Sequence, residues 1–205
     1  MIKRQYPDAW IQTYCGIRFW PVEPEVSEIL LPDIAHALAA QTRFTGHTRV
    51  RYSIAQHSVL TSHIVEILDP TNITFILGAL LHDSAESYLN DISRPVKYGI
   101  PLFYEKYIAI EKNLSDKVAE RFGLPAESLE IPFPVKKADM LSFALESKFL
   151  MAPLHPNFHI NSDDDQWCSH RRGLLTRVWD EKEAEQKFLE RFNNLWGWYV
   201  SGVKE

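Results

Sequence analysis

The chain has 205 residues, 45% of them hydrophobic and 24% charged, with a formal net charge of −5. That length fits one domain with a sizeable core, and an acidic balance without a basic arm disfavours a nucleic-acid polymer as partner. No apolar stretch approaches the ~18 residues that a membrane helix needs. The start, MIKRQYPDAWIQ, has no apolar signal-peptide centre, and the two distant cysteines, Cys15 and Cys168, do not make a disulfide framework. The expectation is a cytoplasmic protein with reduced thiols and no membrane partner.

In chain order, β-prone runs at 10–14 and 17–20 flank Gly16 and predict a small hairpin over 10–22. From Pro32 the pattern turns helical: PDIAHALAAQTRF puts apolar residues at 34, 35, 38 and 39, with proline near the first turn. YSIAQHSVLTSHIVEILDP gives a second helix, opened by Ser53 and Gln56 as a capping box and stopped by Asp69-Pro70. TNITFILGALLHDSAESYL reads as a third helix, apolar nearly all round and therefore placed at the centre of a bundle. After Pro95 a looser segment leads to the long helix LFYEKYIAIEKNLSDKVAERFGL, with Gly123 in the C′ position. A fifth helix is opened by Pro134 and closed before Pro153. The stretch 153–169, containing NSDDDQ, has the composition of a surface loop, and a last amphipathic helix covers about 180–198. No internal repeat or linker divides the chain. The expected architecture is mainly α: a single-domain helical bundle over 1–205, with its core at about 34–150, a small N-terminal β-hairpin, and a C-terminal loop and helix over 153–200.

The ionisable groups after the apolar run 73–81 set the functional question. His82 and Asp83 end that run, and Glu86 and Asp91 follow. Burying such groups costs several kcal/mol unless they are paired or bind a metal. His57 falls early in the second helix and Asp139 early in the fifth. Adjacent helix residues diverge by about 100°, so His82 and Asp83 can share an ion only if it lies close to their helix, with His57 and Asp139 approaching from other helices. Two imidazoles and two carboxylates suit Mn, Fe, Co, Ni or Zn and leave positions open for water and substrate. Glu86, three residues after Asp83 and four after His82, stays on the same side of the helix as a proton-transfer group. Asp91 is placed to orient water or a substrate hydroxyl. Trp20, just after the hairpin, is a candidate to cover the pocket and stack on a base.

His57, the His82-Asp83 pair and Asp139 resemble the H…HD…D signature of the HD-domain phosphohydrolase superfamily, helical bundles with one or two metals at their centre. HDSAESYLNDISRPVK, residues 82–97, is similar to the corresponding stretch of bacterial 5′-deoxynucleotidases: HD, a Glu three after the Asp, an Asp eight after it, and a P-V-K end. Those positions are Glu86, Asp91 and Pro95-Val96-Lys97 here. Arg43-Phe44, 14 residues before His57, resembles an Arg-aromatic pair that in that family contacts phosphate and base or sugar. Phage dATP triphosphohydrolases share the same core. The resemblance spans about 34–150. It implies a metal-dependent 5′-(deoxy)nucleotidase that releases orthophosphate from a small-molecule nucleotide. His57, His82, Asp83 and Asp139 would hold one divalent transition metal, Glu86 and Asp91 would be catalytic, and Arg43, Phe44 and Lys97 would contact substrate. The chain has no histidine from 84 to 154, which favours one metal over a dinuclear centre, with Mg²⁺ joining only through the substrate phosphate. A homodimer is an expectation that the resemblance alone carries.

Two other functions fit the same residues. A (deoxy)nucleoside triphosphate triphosphohydrolase would need more cations along the phosphate tail, for which Arg49, Arg51, Arg94 and Lys97 are candidates. A non-catalytic nucleotide-binding module on the same fold would bind without turnover. Arg43 also has a plainer reading as a structural ion pair, and His47, among Arg43, Arg49 and Arg51, as part of a polar loop. His36 and His63 read as structural. His155, His159, Cys168 and His170 offer zinc-like spacings, but no cysteine pair at the usual short spacing supports a structural zinc.

Overall fold

The computed structural model describes residues 4–202. Strand β1 (Ile11–Gln12) pairs antiparallel with β2 (Arg18–Phe19), Ile11 opposite Phe19 and Gln12 opposite Arg18. The helices among the described residues are α1 (Leu31–Ala40), α2 (Ile54–Leu68), α3 (Ile73–Leu81), α4 (Glu86–Leu89), α5 (Arg94–Gly99), α6 (Pro101–Arg121), α7 (Phe133–Leu150), α8 (Ser162–His170) and α9 (Glu181–Gly202). The expected helical bundle with a small N-terminal hairpin is what forms.

Side-chain alternation docks the hairpin. Phe19 points inward, is fully buried, and stacks on Tyr88 with ring centroids 4.0 Å apart. α1 has Pro32 in its first turn and buries Ile34, Ala35, Leu38 and Ala39, the positions whose spacing announced it. α2 is capped by Ser53, whose side chain accepts from the Gln56 N–H at 3.1 Å. The reciprocal half of the expected capping box does not form. The Gln56 amide instead donates to Arg177 O at 2.8 Å and accepts from Trp179 N–H at 2.9 Å. A buried amide satisfied by backbone on both sides stitches α2 to the segment entering α9. α2 packs against α3, α7 and α9, so it shares the centre of the bundle with α3.

The third helix stops earlier than its apolar pattern suggests. α3 ends at Leu81, a turn occupies 82–85, and α4 begins at Glu86. Side chains compete for the helix carbonyls there: His82 Nδ1–H donates to Ala79 O at 2.7 Å, and Ser84 Oγ–H donates to Leu81 O. The segment after Pro95 is not loose but helical, as α5, with Pro95 in its first turn. α6 closes as expected: Gly123 takes φ +59°, its N–H reaches Glu120 O at 3.2 Å, and Leu124 N–H reaches Ala119 O at 2.9 Å, the two bonds of a Schellman cap. The expected surface loop over 153–169 is corrected from Ser162 onward by α8. Asn161 caps it by accepting from Asp163 N–H, three acids fill the first turn where the helix dipole favours them, and Lys137 and Lys148 of α7 pair with Asp164 and Asp165.

One buried cluster extends from Phe19 through α1, α2, α3 and α7 to Phe188, Phe192 and Leu195 of α9. The hairpin and C-terminal helix therefore share the core of 34–150. Among the described residues, no helix is long and apolar enough to cross a membrane.

Candidate metal centre

Three helices converge on one point. His57 lies in the first turn of α2, His82 and Asp83 in the turn after α3, and Asp139 in the second turn of α7. The two imidazoles meet through their Nε2 atoms at 3.3 Å. Asp139 Oδ1 lies 3.2 Å from His57 Nε2 and 3.9 Å from His82 Nε2. Asp83 flanks both rings, with Oδ1 at 3.2 Å from His82 Nε2 and Oδ2 at 3.5 Å from His57 Nε2. All four predicted ligands are thus brought together. One ligand atom each from His57, His82 and Asp139 lie within 4.8 Å of one another.

The outer ring nitrogens fix what the inner ones can do. His82 Nδ1 faces a carbonyl, which only accepts, so it carries the proton. His57 Nδ1–H donates to Glu146 Oε1 at 2.7 Å. Glu146 is itself fully buried, accepts from Tyr52 OH at 3.0 Å and pairs with Arg43 Nε at 3.1 Å. Burial works against the charge on Glu146, but Arg43 and His57 outweigh it and hold the carboxyl below the usual range. Arg43 stays firmly cationic for the converse reason: desolvation opposes it, and Glu146, Asp83 and Asp139 prevail. Asp83 is held well below the carboxylate range, with burial overcome by His82, His57 and Arg43; Asp139 is lowered chiefly by His57 against burial.

The residues present fit a divalent ion. With both Nδ1 atoms donating, two Nε2 lone pairs face each other at 3.3 Å, and something positive must lie between them. In its absence a proton serves: His57 is pushed up to about 9, because Glu146 and Asp139 overcome burial and the Arg43 charge. Asp83 Oδ2 is buried and makes no hydrogen bond among the described residues; His57 Nε2 at 3.5 Å and Arg43 Nη1 at 3.6 Å face it at ion-pair distance only. Separations of 3.2–3.9 Å among these donors match neighbouring ligands at about 2.0–2.2 Å from one ion. A mixed imidazole–carboxylate set accommodates several transition metals.

Glu86 starts α4, and its carbonyl accepts from the Gln41 amide at 3.0 Å, which ties α4 to the end of α1. Its Oε2 is buried with no hydrogen-bond partner among the described residues. Burial, then the charges of Asp83 and Asp91, push its carboxyl well above the usual value, and Arg43 and Lys97 offset this only in part. Asp91 follows Asn90, whose φ of +72° and ψ of 155° lie in a region costly for any side chain. Burial raises the Asp91 carboxyl, Arg43 opposes it and Asp83 adds to it.

A pocket of about 520 Å³ opens from these groups. His82, Asp83, Asp139, Glu86, Asp91 and Arg43 line it, together with Arg94, Lys97, Tyr98 and Glu111. Lys97 Nζ donates to Glu111 Oε1 at 2.9 Å and sits 4.8 Å from the Tyr107 ring centroid. Phe44, at φ +56°, rests 5.7 Å from Phe143 and does not line the pocket. Trp20 does not cover it either: because Phe19 points in, Trp20 points out, donates to Pro7 O at 3.1 Å and lies between the Arg4 and Arg18 guanidinium groups. Arg51 is spent on Glu181 and the Ala40 carbonyl, and Arg49 bonds Phe149 O at the far end of α7. His36 Nδ1 meets Glu185 Oε2 at 2.9 Å and His63 Nδ1 lies 3.5 Å from Glu66 Oε2, both away from the cluster. Among the described residues, His155, His159, Cys168 and His170 do not converge as a metal cluster.

Sequence reasoning missed Glu146, Tyr52, and the Thr61–Ser142 hydroxyl pair (2.9 Å) beside His57. Glu146 did leave a signal: it follows Asp139 by seven residues, two helical turns, amid the apolar residues of α7.

Fold and site define a helical-bundle protein with a buried His–carboxylate cluster at the base of a polar pocket. The chain is 34% identical over 193 residues to the uncharacterized protein YfdR of Escherichia coli (strain K12), covering 91% of this chain and 96% of that one. It is 35% identical over 147 residues to the uncharacterized protein RCAP_rcc00048 of Rhodobacter capsulatus, covering 68% and 72%. The chain belongs to the family of YfdR. No family model matches it.

Proposed function

We propose that the protein is a metal-dependent phosphohydrolase acting on nucleotides, with 5′-(deoxy)nucleoside monophosphates as substrates and orthophosphate as product. The observation that carries this reading is the convergence of two Nε2 lone pairs and two carboxylates beside an unpartnered, buried Glu86. The resemblance of residues 82–97 to 5′-deoxynucleotidases supports the substrate class. A divalent ion held by His57, His82, Asp83 and Asp139 would supply Lewis-acid chemistry, polarising a phosphoryl oxygen and acidifying water. Glu86, its carboxyl pushed well above the usual value by burial and by the charges of Asp83 and Asp91, serves as the proton-holding group beside the ion, and Asp91 orients the leaving or attacking oxygen at the pocket wall. Arg94 and Lys97 line the wall and balance phosphate charge. Of the four cations that a triphosphate tail would call on, Arg49 and Arg51 point elsewhere, which favours the monophosphate.

The test is a panel of mono- and triphosphates of both sugars, incubated with protein reloaded with Mn, Co, Fe, Ni, Zn or Mg. Nucleoside plus orthophosphate is expected from monophosphates, with loss of at least about 100-fold in Asp83→Ala. Inorganic triphosphate as the product, or tight binding without turnover under every metal, overturns the nucleotidase reading.

A further inference from the structure

A second pocket, of about 610 Å³, lies at the C-terminal end of α7. Its wall comes from Arg49 in the loop before α2, from Lys148, Phe149 and Leu150, and from the segment 172–177 before α9. Asp139 and Leu150 are eleven residues apart on α7, about 16 Å along the axis, so this pocket is separate from the metal centre. The two differ in sign. The first mixes cations with several acids, whereas four cations, Arg49, Lys148, Arg172 and Arg177, and no carboxylate residue line the second. In a chain of net charge −5 such a segregation is local.

The four cations are not equally engaged. Lys148 pairs with Asp165, and Arg177 forms a bidentate pair with Glu183. Arg49 gives one Nη2 bond to Phe149 O at 2.9 Å and, among the described residues, has no carboxylate partner, which leaves most of its five N–H donors free. Arg172 likewise has no carboxylate partner among the described residues. Its guanidinium lies over the Phe149 ring at 4.9 Å, which fixes its position without consuming its charge. Thr176 and Arg177 also line the pocket, and their backbone N–H groups have no backbone acceptor among the described residues. Planar guanidinium groups with free forks beside uncommitted N–H donors fit phosphate oxygens in geometry and charge.

We propose that this pocket is a second, metal-independent anion site that takes a phosphorylated small molecule, with Arg49 and Arg172 as its main contacts. Inorganic polyphosphate and a nucleotide would present the same phosphates, so both serve as probes. The experiment is calorimetric titration of the full chain with tripolyphosphate and, separately, with ATP, at low salt, in wild type, Arg172→Gln, Arg172→Lys and Asp83→Ala. Expected is a binding event that weakens about tenfold in Arg172→Gln, weakens less in Arg172→Lys, which keeps the charge but not the planar fork, survives Asp83→Ala and weakens as salt is raised. Equal affinities for the two probes assign recognition to phosphate alone, and tighter ATP binding adds a nucleoside contact at the same site. Binding unchanged in Arg172→Gln, abolished by Asp83→Ala, or absent with both probes overturns the proposal. The readout is independent of turnover, so it stands or falls apart from the nucleotidase reading.

Discussion

A carboxyl that is buried, unpartnered and close to two other acids does not stabilise a fold, and Glu86 is in that position. Its amide isostere keeps the shape and removes the buried charge. Glu86→Gln is therefore expected to melt no lower than wild type, and up to a few degrees higher, while turnover falls by about 10²–10⁴. Thermal melts beside nucleotidase assays decide it; a destabilised variant with normal turnover would show Glu86 to be structural. Glu146 has the opposite character. It is enclosed by Arg43, His57 and Tyr52, so its charge is matched on three sides. The proton-transfer candidate was legible from its three-residue spacing to Asp83, because the turn 82–85 keeps a local i to i−3 step, with Glu86 N–H bonded to Asp83 O at 3.0 Å. The orienting carboxylate was not read, because its partners lie 89, 94 and 103 residues away in the chain.

At the scale of elements, glycine marks where backbones touch. Gly78 lies mid-way along α3 at a normal helical φ, so conformational freedom does not explain it. A Cβ there would come within 2.6 Å of the Ser128 carbonyl oxygen, an atom of buried backbone that cannot swing aside. Gly78→Ala would gain helix propensity and lose more to that clash. A net loss of about 1–3 kcal/mol is expected in denaturant melts, and equal or greater stability would show that the 126–128 segment yields. α1, α2 and the Gly123 cap were readable because apolar spacing and cap chemistry are written within a few residues. The end of α3 was not, since apolar character continued while His82 and Ser84 side chains took the carbonyls. α8 was missed because its acidic first turn has loop composition, and only pairing with Lys137 and Lys148 shows which face is held.

Across the whole molecule, the His–carboxylate cluster links stability to pH. The folded value for His57, about 9, is above the ordinary imidazole value, so the metal-free fold retains a proton that the unfolded chain releases above about pH 6.5. That contribution is complete below about pH 6.5 and is lost as pH rises through about 9. Glu146, Asp83 and Asp139 act in the other sense. Their lowered values stabilise the fold above about pH 4, and that stability is lost as pH falls through the folded values. Raised Glu86 works against the fold as pH rises above the ordinary carboxylate value of about 4.5, where the unfolded chain ionises first. Chelated protein should therefore melt lower near pH 9 than near pH 6. Excess Mn or Zn should remove much of that difference, because the ion replaces the His57 proton. Parallel melting curves with and without metal would contradict a metal at this site.

By itself the sequence determined the class of secondary structure, most helix starts, and the residue types able to bind a metal, because periodicity, caps and donor chemistry are properties of short stretches. Tertiary structure decided the rest. It set the 3.3 Å meeting of two imidazoles 25 residues apart in the chain, the burial of Glu146 behind His57, and the outward turn of Trp20 once Phe19 had docked. It also gathered Arg49 and Arg172 into one pocket. Those outcomes depend on which faces pack together, and that is settled only when the helices exclude water as a set.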